Sequence, residues 1–113
     1  MLFELTVIPL GEGTHLSRSI AEVIKIIDAS QLPYQLTPSG TCIEGEWDEV
    51  LEVIRRCHDR MRESSSHVIT SIRIEDDAGE RDKLRRNIAS VEEKVGYSLH
   101  ARESGHRIAE ARR

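Results

Sequence analysis

The chain has 113 residues, of which 38% are hydrophobic and 32% are charged, and this composition is typical of one folded domain and excludes a disordered chain. A formal net charge of −4 argues against a general nucleic-acid binder, and no run approaches the roughly 20 apolar residues that span a membrane. Two cysteines are too few for a disulfide scaffold, and no secretory leader pattern is present. We therefore expect a cytoplasmic protein with reduced thiols.

The first third of the chain predicts a strand followed by a helix. Alternating apolar residues indicate a strand over Leu2–Leu10. After a turn that contains two glycines, spacings of three and four residues predict a helix over Thr14–Ala29. The apolar stripe of this helix consists of Ile20, Val23, Ile24 and Ile27.

A β-hairpin and a second helix follow. Tyr34–Thr37 and Thr41–Glu44 have strand composition, and the Pro-Ser-Gly run between them is typical of a tight turn. The next helix begins at Trp47 and ends near residue 63. Its predicted stripe consists of Trp47, Val50, Leu51, Ile54, His58 and Met61.

The last part of the chain predicts a strand over His67–Glu75 and a third helix over Glu80–Val95, which Gly96 ends. The order β-α-β-β-α-β predicts an α+β, ferredoxin-like sandwich with an additional C-terminal helix. We assign residues 1–96 to this domain and residues 97–113 to a polar, helical or frayed tail. The sheet face away from the two helices should be half apolar, which suits a partner, a ligand or the third helix. Its residues are Thr6, Ile8, Ile69, Ser71 and Arg73.

The residues that usually carry catalysis or bind metals are poorly arranged. Cys57 and His58 are adjacent on a helix, so their side chains diverge by about 100°. The histidines lack zinc-site spacing, and the turn over residues 11–13 lacks the spacing of phosphate-binding loops. We expect no enzyme, no cofactor, no metal and no nucleic-acid partner. The least supported alternative is a small isomerase that uses Glu44.

Three segments resemble the small thiamine-binding protein family. They are VIPLGEGTHLS (7–17), LPYQLTPSGTCIEGEWDEVLEVI (32–54) and VITSIRIEDD (68–77). The middle segment is the most specific of the three, and the resemblance covers about residues 2–95. It implies a ferredoxin-like fold, homodimers or homotetramers, and non-catalytic binding of thiamine or its hydroxymethylpyrimidine moiety in transport, storage or sensing.

The resemblance also implies a pocket between the first loop and the hairpin. Its ligand-binding residues would be Leu10, Gly11, Thr14, Ser17, Tyr34, Thr37, Gly40, Thr41 and Glu44, with Ser71 on the last strand. Threonine hydroxyls match the donors and acceptors of an aminopyrimidine, and a carboxylate or an aromatic face would stabilise a thiazolium cation. Folding alone also explains threonines in strands and a glycine in a turn. The alternative function is therefore a structural or regulatory homo-oligomer with no dedicated small-molecule ligand.

Overall fold

The computed structural model describes residues 1–11, 16–79, 84 and 93–96. The elements are β1 (Leu2–Pro9), α1 (Leu16–Ala29), β2 (Tyr34–Thr37), β3 (Gly40–Glu44), α2 (Trp47–Ser64) and β4 (Val68–Glu75). The four strands form one antiparallel sheet in the order β2-β3-β1-β4. The predicted α+β, ferredoxin-like architecture is thereby confirmed. The predicted third helix lies outside the described residues except for positions 84 and 93–95, and the tail over 97–113 lies outside them entirely.

The hairpin between β2 and β3 closes through a side chain of its own turn. The Thr37 hydroxyl donates to the Gly40 carbonyl at 2.9 Å and accepts from the Gly40 N–H at 3.0 Å. Pro38 and Ser39 occupy the turn between these two residues. A Cβ atom at Gly40 would lie 2.6 Å from the Leu5 carbonyl oxygen. Glycine is therefore required where the hairpin approaches β1.

Strand β1 is longer than the neighbour on one of its sides. It pairs with β4 over its whole length, from Leu2 opposite Glu75 to Pro9 opposite Val68. Its ladder with β3 ends earlier, at the pair of Leu5 and Thr41. Among the described residues, the second half of β1 therefore pairs with β4 on one side and has no strand on the side of the hairpin.

The core lies between the sheet and the two helices. It consists of Phe3, Leu5, Val23, Ile27, Ile43, Val50, Val53, Ile54, Cys57 and Met61. The sequence placed Trp47 and Leu51 on the buried stripe of α2, but 49% and 36% of these residues are exposed. Val53 and Cys57 are buried instead. The reason is that the flank of α2 with Val53 and Cys57 faces α1, where the Cys57 Sγ atom lies 3.7 Å from the Val23 carbonyl. The flank with Leu51 and His58 lies at the margin of the core, and there the His58 Nδ1 atom lies 2.7 Å from the Thr70 hydroxyl of β4.

Candidate ligand-binding site

A cavity of about 320 Å³ lies beside the hairpin turn, at the place where β1 has no β3 neighbour. This volume is at the lower end of the range for ligand pockets, roughly 300–1,000 Å³. One wall is the second half of β1, another is the first half of α1, and the hairpin turn closes the third side. The lining residues are Leu5, Thr6, Val7, Ile8, Ile20, Val23, Ile24, Leu36, Thr37, Pro38, Ser39, Gly40, Thr41 and Met61.

The lining is apolar with a small number of hydroxyl groups. Aliphatic side chains and Met61 form most of the surface, and the hydroxyls belong to Thr6, Thr37, Ser39 and Thr41. No side chain that the structure describes in this lining carries a charge. A pocket of this kind suits a small neutral group with flat apolar faces and polar edges.

Thr41 is the buried polar residue of this cavity whose hydroxyl has no partner among the described residues. It is 7% exposed, and its hydroxyl forms no hydrogen bond within the part of the chain that the structure describes. A buried hydroxyl without a partner costs about 1–3 kcal/mol. The Thr37 hydroxyl differs, because it already donates to and accepts from Gly40. Thr41 is therefore the group in this cavity that is best placed to bind a ligand.

Three of the ten predicted site residues come together at this cavity, namely Thr37, Gly40 and Thr41. Leu10 and Gly11 follow the end of β1 and are exposed, and the Leu10 N–H donates to the His67 carbonyl at 2.8 Å. Ser17 is exposed in the first turn of α1. Leu10, Gly11 and Ser17 are close in sequence to residues of β1 and α1 that line the cavity, but they do not line it themselves. Thr14 lies outside the described residues.

Tyr34, Glu44 and Ser71 lie elsewhere. Tyr34 is at the other end of β2 from the turn, where its hydroxyl donates to Asp28 Oδ1 at 2.8 Å. This hydrogen bond to a carboxylate raises the pKa of Tyr34. Glu44 is the last residue of β3 and pairs with Leu2, far along the strand from Gly40. Ser71 pairs with Thr6 across β4 and β1, and is exposed.

Sequence reasoning did not assign several lining residues to the site. Ile20, Val23 and Ile24 were predicted as core, and the same apolar stripe forms a wall of the cavity. Met61 was likewise predicted on the apolar stripe of α2, and Ile8 was predicted on the sheet face away from the helices. One signal was available in the sequence, because a first strand of nine predicted residues is much longer than hairpin strands of four. That mismatch indicates a gap in the sheet beside the turn.

The cysteines are not placed for chemistry in this cavity. Cys57 is fully buried, and its Sγ atom lies 3.7 Å from the Val23 carbonyl. Burial raises the pKa of the Cys57 thiol to about 11. Burial and the nearby Glu4 carboxylate also raise the pKa of Cys42. Both shifts favour the protonated thiol, which is the weaker nucleophile.

No group of three or more His, Cys, Asp or Glu side chains within the described ranges is arranged to hold a metal ion. None of the helices described is both long and apolar enough to cross a membrane. The cavity beside the hairpin turn is therefore the candidate site.

The fold and cavity define a class, which is a ferredoxin-like α+β domain with a small pocket at one end of its sheet. The sequence model of a family described as thiamine-binding protein matches residues 3–92. The chain belongs to this family.

Relatives and solved structures agree with this assignment. The Bacillus subtilis UPF0045 protein YqgV is 37% identical over 94 residues, which cover 78% of this chain and 90% of YqgV. A UPF0045 protein of Methanothermobacter thermautotrophicus is 34% identical over 95 residues, covering 81% and 96%. The crystal structure of Methanocaldococcus jannaschii MJ1052 superposes with a TM-score of 0.75 at 24% identity, covering 81% of this chain and 95% of that one. A Thermotoga maritima protein, described provisionally as acting in thiamine biosynthesis or salvage, superposes at 0.66 with 23% identity, covering 84% and 94%.

Proposed function

We propose that this protein binds thiamine or its hydroxymethylpyrimidine moiety without transforming it, in transport, storage or sensing. The observation that carries the proposal is Thr41, a buried residue that lines the cavity and whose hydroxyl has no partner among the described residues. Membership of the thiamine-binding protein family gives the chemical class of the ligand. The Thermotoga protein of the same fold supports the same class.

The chemistry of the lining favours the pyrimidine end of the ligand. An aminopyrimidine is flat and neutral, and it carries both donors and acceptors at its edge. Aliphatic residues of β1 and α1 would cover its faces, and Thr41 would bind its edge. A thiazolium ring is cationic, and the described lining offers no carboxylate to it. If intact thiamine binds, we expect the thiazolium to lie toward solvent.

The same lining supports binding without turnover. General acid–base or nucleophilic chemistry uses His, Cys, Lys, Asp, Glu or Tyr side chains within reach of the ligand. The described residues that line the cavity offer hydroxyls of Thr and Ser instead. The proposal therefore predicts that bound ligand is recovered unchanged.

Calorimetry on the full chain tests this function. Hydroxymethylpyrimidine and thiamine should each give a saturable binding isotherm and raise the melting temperature. Mass spectrometry after prolonged incubation should recover each ligand with its original mass. No heat and no thermal shift at millimolar concentrations of either ligand would contradict the proposal, and a new product mass would contradict the absence of turnover.

A second candidate function is self-association through the sheet face away from the helices, in a structural or regulatory homo-oligomer. Ile8 and Ile69 are directly opposite each other on β1 and β4. Each is 46% exposed on a face that neither α1 nor α2 covers. Exposed apolar side chains that are adjacent on a sheet face favour a protein partner, and the resemblance described above implies homodimers or homotetramers.

Ile69 and Ile72 provide a matched pair of variants for this second candidate. They lie on the same edge strand, point to opposite faces, and are exposed to similar extents, 46% and 41%. Light scattering on Ile69→Lys should report a smaller species than the wild type, whereas Ile72→Lys should keep the wild-type mass. A wild-type chain that is monomeric at micromolar concentration would overturn this candidate.

A further inference from the structure

A second, smaller cleft lies next to the cavity. It has a volume of about 120 Å³ and lies between the first turns of α1 and the end of α2. Its lining residues are Arg18, Ser19, Glu22, Arg60, Met61 and Ser64. Unlike the cavity, the cleft is built mainly from charged and hydroxyl-bearing side chains.

The charges at this cleft leave an excess of positive charge. The Glu22 carboxylate lies 3.4 Å from Lys25 Nζ and 4.0 Å from an Arg60 nitrogen. Arg18 forms no ion pair with any residue that the structure describes. Two arginines, Arg18 and Arg60, and one carboxylate, Glu22, thus line the cleft, and no acidic residue lies in the first turn of α1. Guanidinium groups bind phosphate through several parallel hydrogen bonds.

The cleft and the cavity share a wall and occupy the same end of the domain. Met61 lines both. On α1, Ile20 and Val23 border the cavity, and the preceding residues Ser19 and Glu22 border the cleft. Successive residues of a helix point about 100° apart, so the cavity and the cleft lie on adjacent flanks of α1. Met61 lies between them, and its flexible side chain can adapt to a ligand that extends from one to the other.

We propose that this chain prefers the phosphorylated form of its ligand, with the ring in the cavity and the phosphate in the cleft between Arg18 and Arg60. The inference rests on the proposed function for the identity of the ring. It adds that the charge of the ligand is recognised at the cleft, because the cavity itself has no charged side chain among its described residues. The ligand class is thus a phosphate ester of the pyrimidine or of thiamine.

Paired titrations on the full chain test the inference. The probes are hydroxymethylpyrimidine, its phosphate, thiamine, thiamine monophosphate and inorganic phosphate. Each phosphate ester should bind about tenfold tighter than its parent alcohol at low salt, and the preference should shrink as salt screens the charges. In the double variant Arg18→Gln/Arg60→Gln the preference should fall to about twofold or less, while the parent alcohols keep their affinity.

The double variant Arg55→Gln/Arg56→Gln is the matched control. Both of these arginines are exposed on α2 and do not line the cleft, so the net charge changes equally while the tenfold preference should remain. Equal affinity of ester and alcohol for the wild type would overturn the inference and leave the proposed function standing, as would a preference that survives in Arg18→Gln/Arg60→Gln. Absence of binding by every probe would overturn the proposed function and this inference together.

Discussion

Replacing the Thr41 hydroxyl with a methyl group should affect stability and ligand binding in opposite directions. The Thr41→Val substitution preserves the shape and the strand preference of the side chain. Because the hydroxyl is buried and has no partner in the part of the chain that the structure describes, its removal should raise the free energy of unfolding by about 1 kcal/mol. This is the low end of the cost of an unpaired hydroxyl, because a cavity of about 320 Å³ has room for water near it. A gain of that size raises the melting temperature by about 4 °C or more.

The same substitution should weaken ligand binding. A lost hydrogen bond to a neutral group costs about 1 kcal/mol, which is about fivefold in the dissociation constant. Urea denaturation gives the first quantity and calorimetry with hydroxymethylpyrimidine gives the second. Thr70→Val is the control, because its hydroxyl is bonded to His58 at 2.7 Å. That variant should lose stability and keep its affinity. A Thr41→Val variant that is less stable than the wild type and binds the ligand equally well would contradict the assignment of Thr41 as an unpaired, ligand-binding residue.

Three further predictions use other features of the fold. Gly40→Ala should lower the free energy of unfolding by about 1–3 kcal/mol in urea titrations, because the new Cβ would lie 2.6 Å from the backbone oxygen of Leu5. Tyr34→Phe and Glu44→Gln should leave the calorimetric affinity for hydroxymethylpyrimidine within about twofold, since neither residue lines the cavity; a larger loss would relocate the site. Burial raises the pKa of the Cys57 thiol to about 11 from 9.0, so the native state retains the proton longer than the unfolded state does. Stability should therefore fall as pH rises from 9 to 11, by roughly 2 kcal/mol more in the wild type than in Cys57→Ala; identical pH profiles for the two would contradict this.

The fold was predictable because each local signal agreed with the others. The proline, serine and glycine of the hairpin turn mark its position, and the structure places the two strands at Tyr34–Thr37 and Gly40–Glu44. Apolar periodicity located α1 and α2 to within a few residues. The flank of α2 was harder to predict. Spacing alone is compatible with burial of either Trp47 or Cys57, and the position of α1 decides between them, because Cys57 packs against it.

The site was predictable only near the turn. Thr37, Gly40 and Thr41 are close in sequence, so a tight hairpin necessarily brings them together. Glu44 lies four residues beyond Gly40, and an extended strand separates such residues by about 13 Å. Site residues inferred from a sequence motif are therefore distributed along the whole of β3, although only the end of this strand with Gly40 and Thr41 lines the cavity. The apolar wall from α1 was not separable from the core, because both require the same periodicity.

A crystal structure of the full chain with hydroxymethylpyrimidine would show where the ring binds. We expect ring density between β1, α1 and the hairpin turn, with a ring nitrogen or the amino group within hydrogen-bond distance of the Thr41 hydroxyl. A ligand bound beside Tyr34 or Glu44, or on the sheet face that carries Ile69 and Ser71, with this cavity unoccupied, would contradict the proposed site.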